Sequence, residues 1–231
     1  MSISMGHTSE PHGGCGGGCG GGCSTGEPQT PARIALHPAS EIAHIAGFIS
    51  GSGGGGKSTA VAEVAMHLAR AGVRVGVLDA DIANPTIPLL LRVTQPIVRG
   101  DVGLYPAVTD EGVRVISAGL LLDDETELVS PRGLIQAGVV EQFWQDVVWD
   151  ALDVLLVDFP PGIGDVLHLA FERLALDGVV VMAHGPENVA ARRITRFAAE
   201  WDVPVHEMIT GITPKTWEQL SCFFEKMKKR D

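Results

Sequence analysis

Lys57, Ser58 and Thr59 follow an unbroken glycine run, Gly53, Gly54, Gly55 and Gly56, in the stretch GSGGGGKST. Residues 51–58 fit G-x-x-x-x-G-K-[ST], a pattern with a physical purpose. Without side chains in the way, successive backbone N–H groups can turn inward around phosphate oxygens. A helix that begins at the end of such a loop points its positive dipole end at the same anion. Lys57 would reach the β- and γ-phosphates, and the Ser58 hydroxyl would ligate Mg²⁺. Two carboxylates are candidates to complete this chemistry. Asp81 ends the run Leu78-Asp79-Ala80-Asp81 and could orient or deprotonate an attacking water. Asp158 ends Val154-Leu155-Leu156-Val157 and could serve the Mg²⁺ through a water. The plainer alternatives are a flexible glycine linker and capping aspartates at strand ends.

A second group of residues could hold a soft metal. Cys15, Cys19 and Cys23 form CGGGCGGGC, with only glycine between the thiols. Thiolates favour Zn, Cu(I) or an iron–sulfur cluster. The spacing matches neither paired C-x₂-C zinc sites nor ferredoxin runs, and three cysteines leave a fourth ligand to find. His7, His12, Cys222 or a second subunit could supply it. Otherwise the segment is a glycine linker with incidental cysteines.

The elements that must position these groups alternate along the chain. Apolar runs at 45–49, 73–78, 113–117, 154–157, 178–183 and 203–208 read as strands, and amphipathic runs at 60–70, 131–146, 166–176 and 187–200 read as helices. Near-continuously apolar strands alternating with helices predict an α/β fold with a doubly wound, mostly parallel sheet. Such sheets take ligands at the C-terminal ends of their strands, where Asp79, Asp81 and Asp158 fall. Residues 92–112 read as an irregular excursion, and Phe159 to Asp165 (FPPGIGD) as a loop that senses the state of a bound nucleotide. Asp123, Asp124, Glu125 and Glu127 read as a solvated acidic loop. Arg192, Arg193 and Arg196 read as a solvated helix face or a contact for a second subunit or client.

Composition sets the outer limits. The chain has 231 residues, a formal net charge of −11 and 45% apolar residues. This suits one α/β domain over 33–231 behind a tail, 1–32, whose Gly, Ser, Thr and Pro content predicts disorder and candidate metal binding. The negative charge argues against nucleic acid as a partner. The first residues lack a basic segment followed by an apolar one, which suggests a cytoplasmic protein whose cysteines serve metals or redox chemistry. Residues 214–231 read as an amphipathic C-terminal helix, with Trp217, Leu220, Phe224 and Met227 at helical spacing and Lys226, Lys228, Lys229 and Arg230 behind them. It either packs on the sheet or lies on an anionic membrane.

Taken together, the glycine-rich loop, LDADIANPTIP, LLVDFPPGIGDV and ENVAARRITRFAAEWDVPV resemble the Mrp branch of MinD/ParA-like P-loop ATPases, over about residues 44–208. The resemblance implies a dimeric, ATP-dependent carrier that binds an iron–sulfur cluster and passes it to an apoprotein client. It implies ATP phosphates on Gly53 to Thr59, a water positioned by Asp81 and Mg²⁺ served by Asp158. A cysteine-rich N-terminal tail also occurs in this family. Two positions depart from the family pattern. Ser52 stands where the family has a lysine that reaches the partner's phosphates across the dimer, so hydrolysis is expected to be slow or partner-dependent. After the last matched strand the family continues into a C-x-x-C pair; here the sequence reads HEMITGITPKTW, with Cys222 beyond. Three readings follow: a cluster carrier, a MinD-like switch on a membrane, or a noncatalytic ATP-binding subunit of a heterodimer with a related ATPase.

Overall fold

The computed structural model describes residues 32–121, 133–183, 188–208 and 213–227. Cys15, Cys19 and Cys23, the acidic run 123–127 and the first two residues of the run 131–146 lie outside them.

Five of the predicted strands form the middle of one sheet because their residues are apolar on both sides. These are β2 (Ile45–Ser50), β3 (Val75–Asp79), β7 (Arg114–Ser117), β9 (Val154–Asp158) and β10 (Gly178–Met182). With β6 (Ala107–Val108) and β11 (Val205–Met208) they make a seven-stranded sheet in the order β11-β10-β2-β9-β3-β7-β6. All neighbours are parallel except β6 and β7. Alternate residues of each strand feed two cores. Phe48, Val77, Leu156 and Val180 meet α1 (Lys57–Arg70), α2 (Ile87–Leu90) and α6 (Pro214–Met227) on one face. Ile49, Leu78, Val157 and Val181 meet α3 (Gly133–Asp146), α4 (Asp165–Arg173) and α5 (Val189–Glu200) on the other. Helices on both faces are what a parallel sheet requires.

Three features differ from the sequence reading. The stretch 92–112 is not wholly irregular. It holds a short antiparallel pair, β4 (Val98–Arg99) with β5 (Leu104–Tyr105), and then the edge strand β6, anchored by buried Leu104 and Ala107. Residues 33–44 are a strap pinned at several points. Ile34 N–H donates to the Arg173 carbonyl at 2.8 Å, Trp144 Nε1–H donates to the Ile34 carbonyl at 3.1 Å, and β1 (Ser40–Ile42) pairs with β8 (Asp150–Leu152). Strands of two or three residues are too short to leave a period in the sequence. The third lies in the amphipathic run 131–146, whose apolar residues do not all face the core: Leu134 is 79% exposed, whereas Val140 and Phe143 are buried.

The C-terminal helix packs on the domain. Leu220 is fully buried, Trp217 and Phe224 lie against the α1 side of the core, and the Trp217 ring sits 3.9 Å from that of His67. The apolar face that a membrane-surface role would need is therefore engaged within the fold. Among the described residues no helix is long and apolar enough to cross a membrane. Truncating Leu220 to alanine should cost about 2–5 kcal/mol, as for other fully buried leucines. Urea unfolding measures it, and an unchanged midpoint would mean that α6 does not pack as described.

Candidate functional site

Three adjacent strands, β2, β9 and β3, end side by side, and each is followed by a loop that carries chemistry. Backbone hydrogen bonds stitch these loops together. Ala80 N–H donates to the Asp158 carbonyl at 2.9 Å, and Gly162 N–H donates to the Ser50 carbonyl at 2.8 Å. A cavity of about 700 Å³ opens above them, lined by Gly53 to Thr59, Asp81, Asn84, Gln136, Pro160 and Pro161 among others. It lies at the C-terminal edge of a parallel sheet, where the topology favours a ligand.

The glycine loop is built by backbone demands. Gly54 and Gly56 have φ of 78° and 69°, a region that other residues enter only with strain. A methyl group on Gly53 would meet nothing within 4 Å, so the loop lies open to the cavity. Gly51 is different: a methyl there would overlap that of Ala190 on α5, which sets the loop's root against that helix. The helix α1 starts at Lys57 rather than at Ala60, and its first turn holds no acid to neutralise the positive end of its dipole. This end faces the cavity.

Lys57 is buried, and its ammonium lies 2.5 Å from Asp158 Oδ1. Ser58 Oγ donates to Asp158 Oδ2 at 2.6 Å. Burial pushes the Asp158 carboxyl above its usual range, while the charge of Lys57 and the bonds from Lys57 and Ser58 pull it back. The carboxylate and hydroxyl form a pair of hard oxygen donors next to a cation, a set that fits Mg²⁺. Asp81 is half-buried at the cavity wall. Its carboxyl is also raised, first by burial and then by the charge of Asp158, against a lowering by Lys57. The structure thus brings Lys57, Ser58 and Asp81 to one cavity with the glycines, and holds the fully buried Asp158 behind them on Lys57 and Ser58. Thr59 lines it as well.

Two residues in this network had no assigned role in the sequence reading. Asp79 is fully buried, and its carboxylate clasps both ends of the loop that carries Asp81. It accepts from the N–H of Asp81 and of Ile87, each at 3.3 Å, and from Ser117 Oγ at 2.9 Å. Gly119 N–H in turn donates to Ser117 Oγ at 3.2 Å. Burial, reinforced by the charge of Asp158, raises the Asp79 carboxyl to about 8, against the hydrogen bonds of Ser117 and Ile87. The signal was a polar residue closing each of two neighbouring apolar strands: VGVLD and RVIS end in register, with Asp79 opposite Ser117.

A family model described as ParA, NUBPL iron-transfer P-loop NTPase, matches residues 41–229. The iron–sulfur cluster carrier protein of Methanocaldococcus jannaschii is 40% identical over 180 residues, 75% of this chain and 61% of that protein. The cytosolic Fe–S cluster assembly factor NUBP2 of Bos taurus is 42% identical over 127 residues, 54% of this chain and 47% of its own. This chain therefore spans about half to three fifths of the length of these two relatives. Among solved structures, a nucleotide-binding protein from Archaeoglobus fulgidus in complex with ADP superposes with a TM-score of 0.50 at 25% identity, covering 81% of this chain and 86% of that one. The cell division ATPase MinD of Pyrococcus furiosus shares the fold, with a TM-score of 0.51 at 20% identity over 77% of this chain and 79% of its own.

The raised carboxylates set a pH dependence. Between the unfolded value near 4 and the folded value of about 8, Asp79 holds a proton that the unfolded chain has lost. Stability should therefore fall as pH rises from about 4 to about 8, by about 2–5 kcal/mol for the nucleotide-free protein. Asp79→Asn should remove most of that slope in urea unfolding; an unaltered slope would show that Asp79 is ionised throughout.

Proposed function

The chain belongs to the ParA group of NUBPL iron-transfer P-loop NTPases, and on that premise we propose that it is an ATP-dependent iron–sulfur cluster carrier acting on an apoprotein client. The observation that carries the nucleotide part is the meeting of Lys57, Ser58 and Asp158 beside an open glycine loop. In this reading Gly53 to Gly56 and Thr59 hold the phosphates by backbone amides, and Lys57 leaves Asp158 for the β- and γ-phosphates. Ser58 and Asp158 would hold Mg²⁺, which would supply neutralising charge to the phosphates. Asp81 orients the attacking water from the cavity wall. Asp79 and Ser117 keep its loop in place.

Ser52 is exposed, and among the described cavity-lining residues Lys57 is the cation. A second cation at phosphoryl transfer contributes about 10³–10⁵ in rate where it is present. The isolated chain is therefore a slow ATPase, and its rate depends on what the partner brings. Exposed apolar residues line the cavity, with Leu89 at 77% and Leu90 at 39% exposure. A second chain covering these residues, either a copy or a related ATPase that retains the lysine, would bury them. Relatives named cytosolic assembly factors support a cytoplasmic setting.

The cluster is cargo, and Cys15, Cys19 and Cys23 are the thiolates proposed to receive it. Four thiolates per cluster is the usual count, so two tails in a dimer, or a histidine such as His12, would complete the set. A heterodimer in which this chain binds ATP without hydrolysing it is a second reading, favoured by Ser52.

Anaerobic reconstitution with iron and sulfide should give visible absorption that is lost when Cys15, Cys19 and Cys23 are all changed to serine. A colourless wild-type protein would contradict the carrier reading. For the nucleotide half, Ser52→Lys should raise phosphate release by at least tenfold over the wild-type chain. An equal rate in both would place the limiting step elsewhere.

A further inference from the structure

The nucleotide reading leaves one face of α5 unused. Its inner face is fixed by the core: Ala191, Ile194 and Ala198 are buried, and the Phe197 ring packs edge-on against Phe171 at 5.2 Å and His168 at 4.8 Å. The outer face presents Val189, Arg192, Arg193 and Arg196, all exposed, at the i, i+3, i+4, i+7 spacing of a single stripe.

The stripe is electrostatically unfavourable for the helix that carries it. Arg192 with Arg196 and Arg193 with Arg196 are like-charge pairs one turn apart, which weaken a helix. Arg192 and Arg193 also sit in its N-terminal half, toward the positive end of the dipole. The helix VAARRITRFAAE holds a single acid, Glu200 at its far end. Among the described residues neither Arg193 nor Arg196 forms an ion pair. This positive stripe stands on a chain whose formal net charge is −11. Carboxylates from outside the domain would relieve the charge of Arg193 and Arg196, and arginine's planar fork matches a carboxylate in two hydrogen bonds.

We propose that the Val189, Arg192, Arg193 and Arg196 face of α5 docks an acidic segment of a protein partner, with Val189 as an apolar contact beside the arginines. A protein is favoured over nucleic acid because the net negative charge of the domain repels a phosphodiester backbone on all sides of so small a patch. The docking face and the phosphate loop share a joint: Ala190, inside the stripe's first turn, packs on Gly51 at the loop's root. The surface deepens the client part of the proposed function, and that reading is what makes the partner a client. Its test needs neither a cluster nor hydrolysis.

A fluorescein-labelled octaglutamate peptide titrated with the full chain at low salt should show a rise in anisotropy. Arg192→Glu, Arg193→Glu and Arg196→Glu combined should weaken binding at least tenfold. A charge-matched control with Arg70→Glu, Arg99→Glu and Lys215→Glu, all exposed and away from α5, should weaken it less than threefold. Circular dichroism and thermal melting establish that both triple variants are folded. Equal weakening in the two triples would overturn the site in favour of net charge alone, and absence of binding by the wild-type chain would overturn it outright. Tighter binding of a duplex DNA probe than of the peptide, lost in the α5 triple, would replace the acidic protein partner with nucleic acid.

Discussion

The structure is organised around one buried ion pair, Lys57 with Asp158. Burying a lysine among carboxylates is unfavourable unless each charge is matched, and removing one partner of such a pair typically costs about 3–5 kcal/mol. Here the lysine is the first residue of α1 and the aspartate the last of β9, so the pair ties the glycine loop to the middle of the sheet. Asp79 faces Asp158 in register on the neighbouring strand, and burial beside that charge holds its own carboxyl near neutral. The site is thus an electrostatic problem in which one cation serves several carboxyl groups. A phosphate anion taking the lysine, with a divalent cation taking the carboxylate, is a natural solution of the same balance.

The constraint extends outward through two helices. The first, α1, runs from the ion pair to its far end, where His67 meets Trp217 of α6. The second, α5, begins where Ala190 packs on Gly51. The loop between β3 and α2 is held by Asp79, and the loop after β9 by Gly162 on the Ser50 carbonyl. A change at the phosphate position therefore has rigid elements to act on in two directions, toward the C-terminal helix and toward the arginine stripe.

Much of this was legible in the residues. Apolar strands such as VLLVD and GVVVM left little doubt about a covered parallel sheet, and the glycine loop with Lys57 and Ser58 pointed to the sheet edge where the structure has a cavity. Asp81 and Asp158 stood out because each follows an apolar run and so falls at the C-terminal edge of the sheet. What stayed hidden has physical causes. Asp79 also closes an apolar run, but its role in clasping a loop depends on Ser117 from a strand 38 residues away. The strap at 33–44 is held by backbone and side-chain hydrogen bonds to distant segments and carries no period of its own. Leu134 points outward because it lies nine residues, about half a turn in phase, from Phe143, and so on the side of α3 opposite the buried Val140, Phe143 and Trp144.

The central claim is that the amides of Gly53 to Ser58, with Lys57, hold the phosphates of a magnesium-bound nucleoside triphosphate. Calorimetric titration of Mg-ATP into the full chain and into Lys57→Ala tests it most directly. The account predicts saturable heat for the wild-type protein and a loss of affinity of at least a hundredfold in the variant. No heat with the wild-type chain, or equal affinity in the two proteins, would contradict it.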